Sequence, residues 1–265
     1  VMAVSHATFL AAHEQLHTID DAYRLARSYR HELSYDALQC ILAQKHLALS
    51  KLSMRGHRDV AASYVQRFQA GETLVEIAAS SHISPTQMAR VVLEEHLGAK
   101  KGKEAGQLLK NTESIEDMRL RAQVAAAVEM DPYYGPYVDK VKRIVGVEFE
   151  NMLQQKLASR NIPYLTEDEL RVRGDAKTPD ALLMVPILSC GRVVNWIDSK
   201  ATFGDPASHA EYHTNQYSGY LNRYDTGLVI YWFGYDASID TDPRLLILPS
   251  FPDSECELMS LYNGP

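Results

Sequence analysis

Apolar positions in roughly the first 125 residues recur with a helical period, prolines are few, and Ala, Leu, Gln, Glu and Arg dominate. Thr18-Ile-Asp-Asp21 has the form of a cap for a helix from Ala22 to Tyr29. Ser34 opens another, with Leu38, Ile41 and Leu42 on one face, and a third runs from about Arg58 to Gln69 and stops at Gly71. Thr73–Ala79 then reads as a short helix, Ser80-Ser-His-Ile83 as a turn, and Ser84-Pro85 as the N-cap and first position of a helix through Leu97. Two helices joined this way, over about 73–97, make either a helix-turn-helix or an αα-hairpin in a bundle. In a DNA-binding version Thr86, Gln87 and Arg90 face the groove, although Glu94 and Glu95 make the same helix acidic. The glycine- and lysine-rich stretch from Lys100 to Gly106 reads as a linker, and helix resumes over 113–130.

The pattern changes after Asp131-Pro-Tyr-Tyr-Gly-Pro-Tyr137. A domain boundary is expected between about 100 and 135, separating a helical domain, 1–130, from a second domain, 131–265. Tyr137 to Arg160 is a long amphipathic helix carrying Val141, Ile144, Val145, Phe149, Met152, Leu153 and Leu157. A short strand begins at Asn161. Asp180–Leu188 and Val193–Asp198 form two strands around the turn Ser189-Cys-Gly-Arg192. Residues 206–224 are helical, and Gly227–Gly234 is a nearly continuous apolar run suited to a buried central strand, with Leu245–Leu248 one more. The order is α-β-β-β-α-β, an α/β core with helices on a small mixed sheet.

Composition narrows the class. With 265 residues, 46% of them apolar and 23% charged, the chain has the make-up of a globular protein. No run approaches the ~18 consecutive apolar residues of a membrane span. The opening residues lack the basic segment of a secretory signal, although the first of them is Val rather than Met. Cys40, Cys190 and Cys256 are odd in number and scattered, which argues against a disulfide scaffold or structural zinc and for a reducing compartment, cytosol or nucleus. The net charge of −7 is uneven: residues 1–125 carry 15 Lys and Arg against 14 Asp and Glu, and residues 126–265 carry 12 against 20. A generally basic nucleic-acid binder is excluded. Contact with phosphates would be local, and in the acidic half it would need metal ions.

The candidate chemistry sits in that acidic half. Asp180 ends Lys177-Thr-Pro-Asp180, just before an apolar strand, and Pro179 suits a strand's entry. On the partner strand Asp198 and Lys200 alternate to one face with Ser199 opposite. The hairpin returns this end beside Asp180. Two carboxylates and an ammonium converge, an arrangement that repels unless a cation intervenes. Mg²⁺, or Mn²⁺, suits such a pair, with the Ser199 carbonyl as a further ligand. Lys200 can then orient water or offset developing phosphorane charge. Either Glu148 or Glu150, from Gly146-Val-Glu-Phe-Glu150, can lean over the strand ends to complete the metal shell. Gln216 and Tyr220, four apart on a helix, can hydrogen-bond a phosphate or steady the lysine. His209 and His213 have zinc-like spacing but no third ligand, and their pattern is HxExH rather than HExxH.

In order and spacing these pieces resemble the PD-(D/E)XK nuclease superfamily: Glu148 or Glu150, Pro179-Asp180, Asp198-Ser199-Lys200, then Gln216-xxx-Tyr220 like the QxxxY helix of RecB-like members. The strings KTPDALL, VVNWIDSKATFGD and NRYDTGLVIYWFGY, with GVEFENML and YYGP, are similar to the codanin-1-interacting nuclease family, also described by its TPD motif. The likeness is clearest from about 130 onward. The family pattern allows Glu at the position of Asp198, and either acid ligates Mg²⁺. The resemblance implies a restriction-endonuclease-like core after helix-turn-helix-containing helices. It implies a Mg²⁺-dependent phosphodiesterase acting on DNA or RNA in nucleus and cytoplasm, and binding to codanin-1. Two rivals are a catalytically weak or inactive nuclease-fold scaffold that binds codanin-1 and a helix-turn-helix regulator of DNA.

Overall fold

A computed structural model describes residues 3–98 and 102–259. The chain is α/β, and it divides into two compact units: residues 43–143, and residues 1–42 together with 144–265. No helix among the described residues is long and apolar enough to cross a membrane.

The larger unit begins with a two-residue strand, β1 (Ala3–Val4), followed by helices α1 (His6–Gln15) and α2 (Ile19–Ser28) and the start of α3 (Tyr35–Asp59). Thr18 caps α2 with the reciprocal Thr18–Asp21 box that the sequence suggests. The domain boundary expected at 100–135 does not describe this arrangement, because the first 42 residues pack with the C-terminal half. β1 pairs in parallel with Tyr235–Asp236, His6 Nδ1 meets Asp236 Oδ2 at 2.6 Å, and Phe9 stacks on Phe203 at 5.9 Å. A two-residue strand has no periodicity for a sequence reading to detect.

The smaller unit is a helical bundle made of the rest of α3 with α4 (Ala61–Gln69), α5 (Leu74–Ser80), α6 (Pro85–Leu97), α7 (Gly102–Lys110), α8 (Met118–Met130) and the start of α9 (Pro136–Ser159). The helix expected over 58–69 is two helices, broken at Val60. Of the expected linker, Lys100 and Lys101 lie outside the described residues and the remainder is the start of α7, whose Ala105 and Leu109 are buried. Ser84 caps α6 through Gln87 N–H with Pro85 at the first position, as the sequence indicates. Asp131 accepts Thr86 N–H at 3.1 Å and those of Tyr133 and Tyr134 at 3.1 and 3.0 Å, so the punctuating turn is tied to the start of α6.

The C-terminal half builds one mixed sheet. β2 (Tyr164–Thr166), α10 (Glu167–Val172), β3 (Ala181–Ser189) and β4 (Arg192–Lys200) are followed by α11 (Pro206–Tyr212), a π-helical turn (His213–Tyr217) and α12 (Ser218–Tyr224). β5 (Gly227–Tyr231), β6 (Tyr235–Asp236), β7 (Leu245–Leu248) and β8 (Cys256–Leu258) complete the strands. The order is β2-β3-β4-β5-β7, with β8 also on β3. β3 and β4 are an antiparallel hairpin, while β4–β5 and β5–β7 are parallel. The register slips between Leu182 and Ile187, where Pro186 has no N–H to give. β5 is buried on both faces, as its unbroken apolar run requires. Leu228 and Ile230 pack with Leu153 and Leu157 of α9, and Val229 and Tyr231 with Tyr217, Tyr220 and Leu221. The sheet is thus covered on both faces.

Candidate active site

The hairpin register is the origin of the site. Ala181 pairs with Ile197 and Leu182 with Trp196, which sets Asp180 opposite Asp198. Asp180 Oδ2 accepts Ser199 N–H at 2.6 Å. Two helix-borne groups fix the approach to Asp180. Tyr220 Oη donates to the Thr178 carbonyl at 2.9 Å, and Arg223 Nη1 to that of Ala176 at 2.7 Å. Thr178 and Pro179 are buried, so the carboxylate enters from an anchored turn. Asp198, 1% exposed, is ion-paired with Lys200 two residues along the same face. Ser199 points the other way, where its hydroxyl accepts Trp232 Nε1–H at 2.7 Å.

The electrostatics follow from this crowding. Burial, with the Asp198 charge second, pushes the Asp180 carboxyl well above the usual carboxylate range against the opposing pull of Lys200. Burial works against the Lys200 ammonium, but Asp198 and Asp180 outweigh it and hold its pKa above that of an ordinary lysine. Lys200 is therefore a proton-bearing cation at neutral pH, not a free base. A cleft of about 160 Å³ opens beside Asp180, lined by Glu150, Leu153, Gln154, Thr166, Glu167 and Asp168. At ~30 Å³ per water this is room for about five waters, too little to enclose a whole nucleotide. Burial first, then the Glu167 charge, raises the Glu150 pKa.

Of Glu148 and Glu150, Glu150 lines the cleft and Glu148 is solvent-exposed. Gln216 and Tyr220 do not share a hydrogen-bond partner in the structure. Tyr220 is committed to Thr178, and the Gln216 side-chain oxygen is buried without a hydrogen-bond partner. Sequence reasoning missed Tyr212 and Tyr217, whose rings flank Lys200 at 5.1 and 5.9 Å. The nucleic-acid contacts expected of Thr86, Gln87 and Arg90 are corrected by burial. Thr86 is 0% and Gln87 4% exposed, α6 also buries Met88, Ala89, Val91, Val92 and Leu93, and Arg90 faces Glu94. A helix apolar around most of its girth is a bundle's central helix and has no face for a groove.

His209 and His213 each have a polar neighbour on another element. His209 Nδ1 lies 3.0 Å from Tyr231 Oη and His213 Nε2 3.5 Å from Asp242 Oδ2. Burial, then the neighbouring His213, lowers the His209 pKa from 6.5 to about 4, against the pull of Asp205 and Asp240. Above pH 6.5 the ring is neutral folded and unfolded. Between 6.5 and 4 the unfolded chain takes up a proton that the folded chain refuses, so stability falls as pH falls. The loss is about 2 kcal/mol between pH 7 and pH 5. Denaturant unfolding at the two pH values should show that difference shrink in His209→Gln.

The chain can be placed by comparison. A family described as a protein of unknown function with a TPD sequence motif matches residues 116–251, and that tripeptide stands at Thr178-Pro179-Asp180, on the turn that delivers the Asp180 carboxylate. CDAN1-interacting nuclease 1 of Danio rerio is 35% identical over 268 residues, covering 95% of this chain and 88% of its own length. The chain belongs to this TPD-motif family of CDAN1-interacting nuclease 1 proteins. The Homo sapiens member is 37% identical over 204 residues, 72% of this chain and 73% of its own length. The Xenopus laevis member is 40% identical over 188 residues, 68% of this chain and 62% of its own length. Each of these family members is named a nuclease that interacts with CDAN1. No solved structure matches the chain.

The donor set discriminates among metals. Among the described residues no three His, Cys, Asp or Glu side chains are grouped closely enough to cage an ion. Zinc, which takes three or four protein ligands, is ill served. Mg²⁺ and Mn²⁺ are held by one or two carboxylates, with waters and substrate phosphates filling the remainder. Asp180 and Asp198 fit that pattern. Asp180, kept from ionising easily by burial and its neighbour's charge, gains most from a nearby cation.

Proposed function

We propose that this protein is a Mg²⁺- or Mn²⁺-dependent phosphodiesterase of the PD-(D/E)XK type, with a restriction-endonuclease-like core. It hydrolyses nucleic acid, DNA rather than RNA, and works in nucleus and cytoplasm as a partner of codanin-1. The observation that carries the reading is the register placing Asp180 opposite Asp198, with Lys200 on the same face. The names of the relatives support the nuclease and codanin-1 parts.

In this reading Asp180, Asp198 and the Ser199 carbonyl would hold the metal, with Glu150 reaching it only through a water, and the ion would supply positive charge against the phosphate as negative charge builds there. Ser199 N–H holds one Asp180 oxygen and so turns the other toward the cleft. Lys200 donates N–H bonds to the attacking water and to a phosphoryl oxygen, fixing both for in-line attack. Glu150, with its raised pKa, takes the proton that the water gives up. The new P–O bond forms as the bond to the 3′-oxygen breaks, and that oxygen takes a proton from solvent.

One observation favours a second reading. With Asp198 already paired to Lys200, and no three-ligand cage among the described residues, the fold could serve as a scaffold for codanin-1 that cleaves nothing. Purified protein with Mg²⁺ or Mn²⁺ is tested on single-stranded, duplex, flapped and branched DNA and RNA. The nuclease reading expects cleavage of at least one DNA substrate, abolished by Asp180→Asn with codanin-1 binding intact. Absence of cleavage on the whole panel, or cleavage undiminished in the variant, sinks it.

A further inference from the structure

The geometry points to Tyr212 and Tyr217 as an aromatic cradle that positions the Lys200 ammonium, an inference that rests on the nuclease reading above. Nζ lies 5.1 Å from the Tyr212 ring centroid and 5.9 Å from that of Tyr217, both within reach of a cation–π attraction. Tyr217 is fully buried and Tyr212 half-buried, so the attraction acts away from bulk water.

The backbone is bent to make this contact. Ser218 N–H reaches back five residues to the His213 carbonyl, and the Ser218 hydroxyl also bonds the carbonyls of His213 and Thr214. This is a π-helical turn, a geometry less favourable than α and concentrated at functional sites. Its spacing of five brings Tyr217 over Tyr212, with ring centroids 6.2 Å apart. At α-helical spacing the neighbour of Tyr212 would be Gln216. The Tyr217 ring is held from behind, its hydroxyl 3.4 Å from that of Tyr231, which lies 3.0 Å from His209 Nδ1.

A cradle of ring faces solves a specific problem. The one ion-pair partner of Lys200 among the described residues is Asp198, a carboxylate the metal also needs. Two ring faces hold an ammonium without a carboxylate. They also leave its N–H groups free for water and a phosphoryl oxygen. Tyr212 and Tyr217 are thus positioning residues that act through Lys200.

The test grades the ring's electrostatics at fixed shape. Tyr212→Phe is followed by phenylalanines with one, two and three ring fluorines at the same position, and by Tyr212→Leu. The cradle predicts Tyr212→Phe within about twofold of wild type. It predicts kcat falling stepwise with each fluorine to about a tenfold to thirtyfold loss, with KM unchanged and Tyr212→Leu at the bottom of the series. Fluorination barely alters volume, so a merely structural ring gives a flat series. A second readout needs no cleavage. In protein labelled with ¹³Cε-lysine, the Lys200 methylene, identified by its loss in Lys200→Arg, should be shifted upfield by the rings and released in Tyr212→Leu. A flat series in an active enzyme, or an unshifted Lys200 signal, overturns the cradle. An upfield signal in a protein that cleaves nothing supports the cradle and sinks only the nuclease reading.

Discussion

Lys200→Met is expected to lower kcat for phosphodiester cleavage by about 10²–10³-fold, the typical cost of losing one preorganised charge at a reacting centre. Methionine keeps the length of the stem and removes only the ammonium, so KM should change little. The substitution should also be visible without substrate. Lys200 is the counter-charge of an Asp198 side chain that is almost wholly buried. Removing one partner of such a pair strands the other, at about 3 kcal/mol or more. In EDTA the variant should therefore unfold at lower denaturant than wild type, and Mn²⁺ should recover part of the loss by giving Asp198 a new counter-charge. Stopped-flow cleavage and denaturant titrations with and without Mn²⁺ check both halves. Full activity in a folded variant would remove Lys200 from the mechanism.

The largest effect on folding is expected at Gly227. It opens β5, paired with Trp196 of β4, and a Cβ built there would overlap Cδ2, Cε2 and Cζ2 of the indole. The indole cannot retreat. Trp196 is fully buried, its Nε1–H is held by the Asp225 carbonyl at 2.8 Å, and its ring lies 5.1 Å edge-on from Tyr220. Overpacking a close-packed core ordinarily costs ~1–3 kcal/mol, and a rigid ring held on three sides places Gly227→Ala at the top of that range or beyond. Because Tyr220 also anchors the Thr178 carbonyl, the strain should spread to the turn that carries Asp180. Unfolding should show a loss of about 3 kcal/mol in Gly227→Ala, with partial recovery when Trp196→Leu is added. Wild-type stability in Gly227→Ala would refute this packing.

How much of this the sequence discloses depends on which force sets each feature. The convergence of Asp180, Asp198 and Lys200 is legible because strand alternation and a short turn determine it, and the hairpin register sets Asp180 opposite Asp198 with Lys200 paired to Asp198. Burial of Gly227–Tyr231 follows from its unbroken apolar run. The pairing of Gln216 with Tyr220 assumes an unbroken α-helix, whereas a π-helical turn occupies His213–Tyr217. Ser218 hydroxyl bonds to carbonyls behind it are the signal that could have warned of this, but such serines are common in ordinary helices. The assignment of Thr86 and Gln87 to a groove failed for a different reason. Cap and turn signals place helix ends but say nothing about which face is buried, and Met88, Ala89, Val91, Val92 and Leu93 already leave little polar girth. The attachment of residues 1–42 to the C-terminal sheet rests on tertiary contacts such as Phe9 on Phe203, which no local pattern encodes.

Calorimetric titration of Mn²⁺ into the purified chain, free of substrate, bears most directly on the whole account. If Asp180 and Asp198 face one another as ligands, wild type should bind the ion, and Asp180→Asn and Asp198→Asn should each lose that binding while keeping their fold. Heat of binding absent from wild type, or equal in all three proteins, would mean that the paired carboxylates are not a metal site.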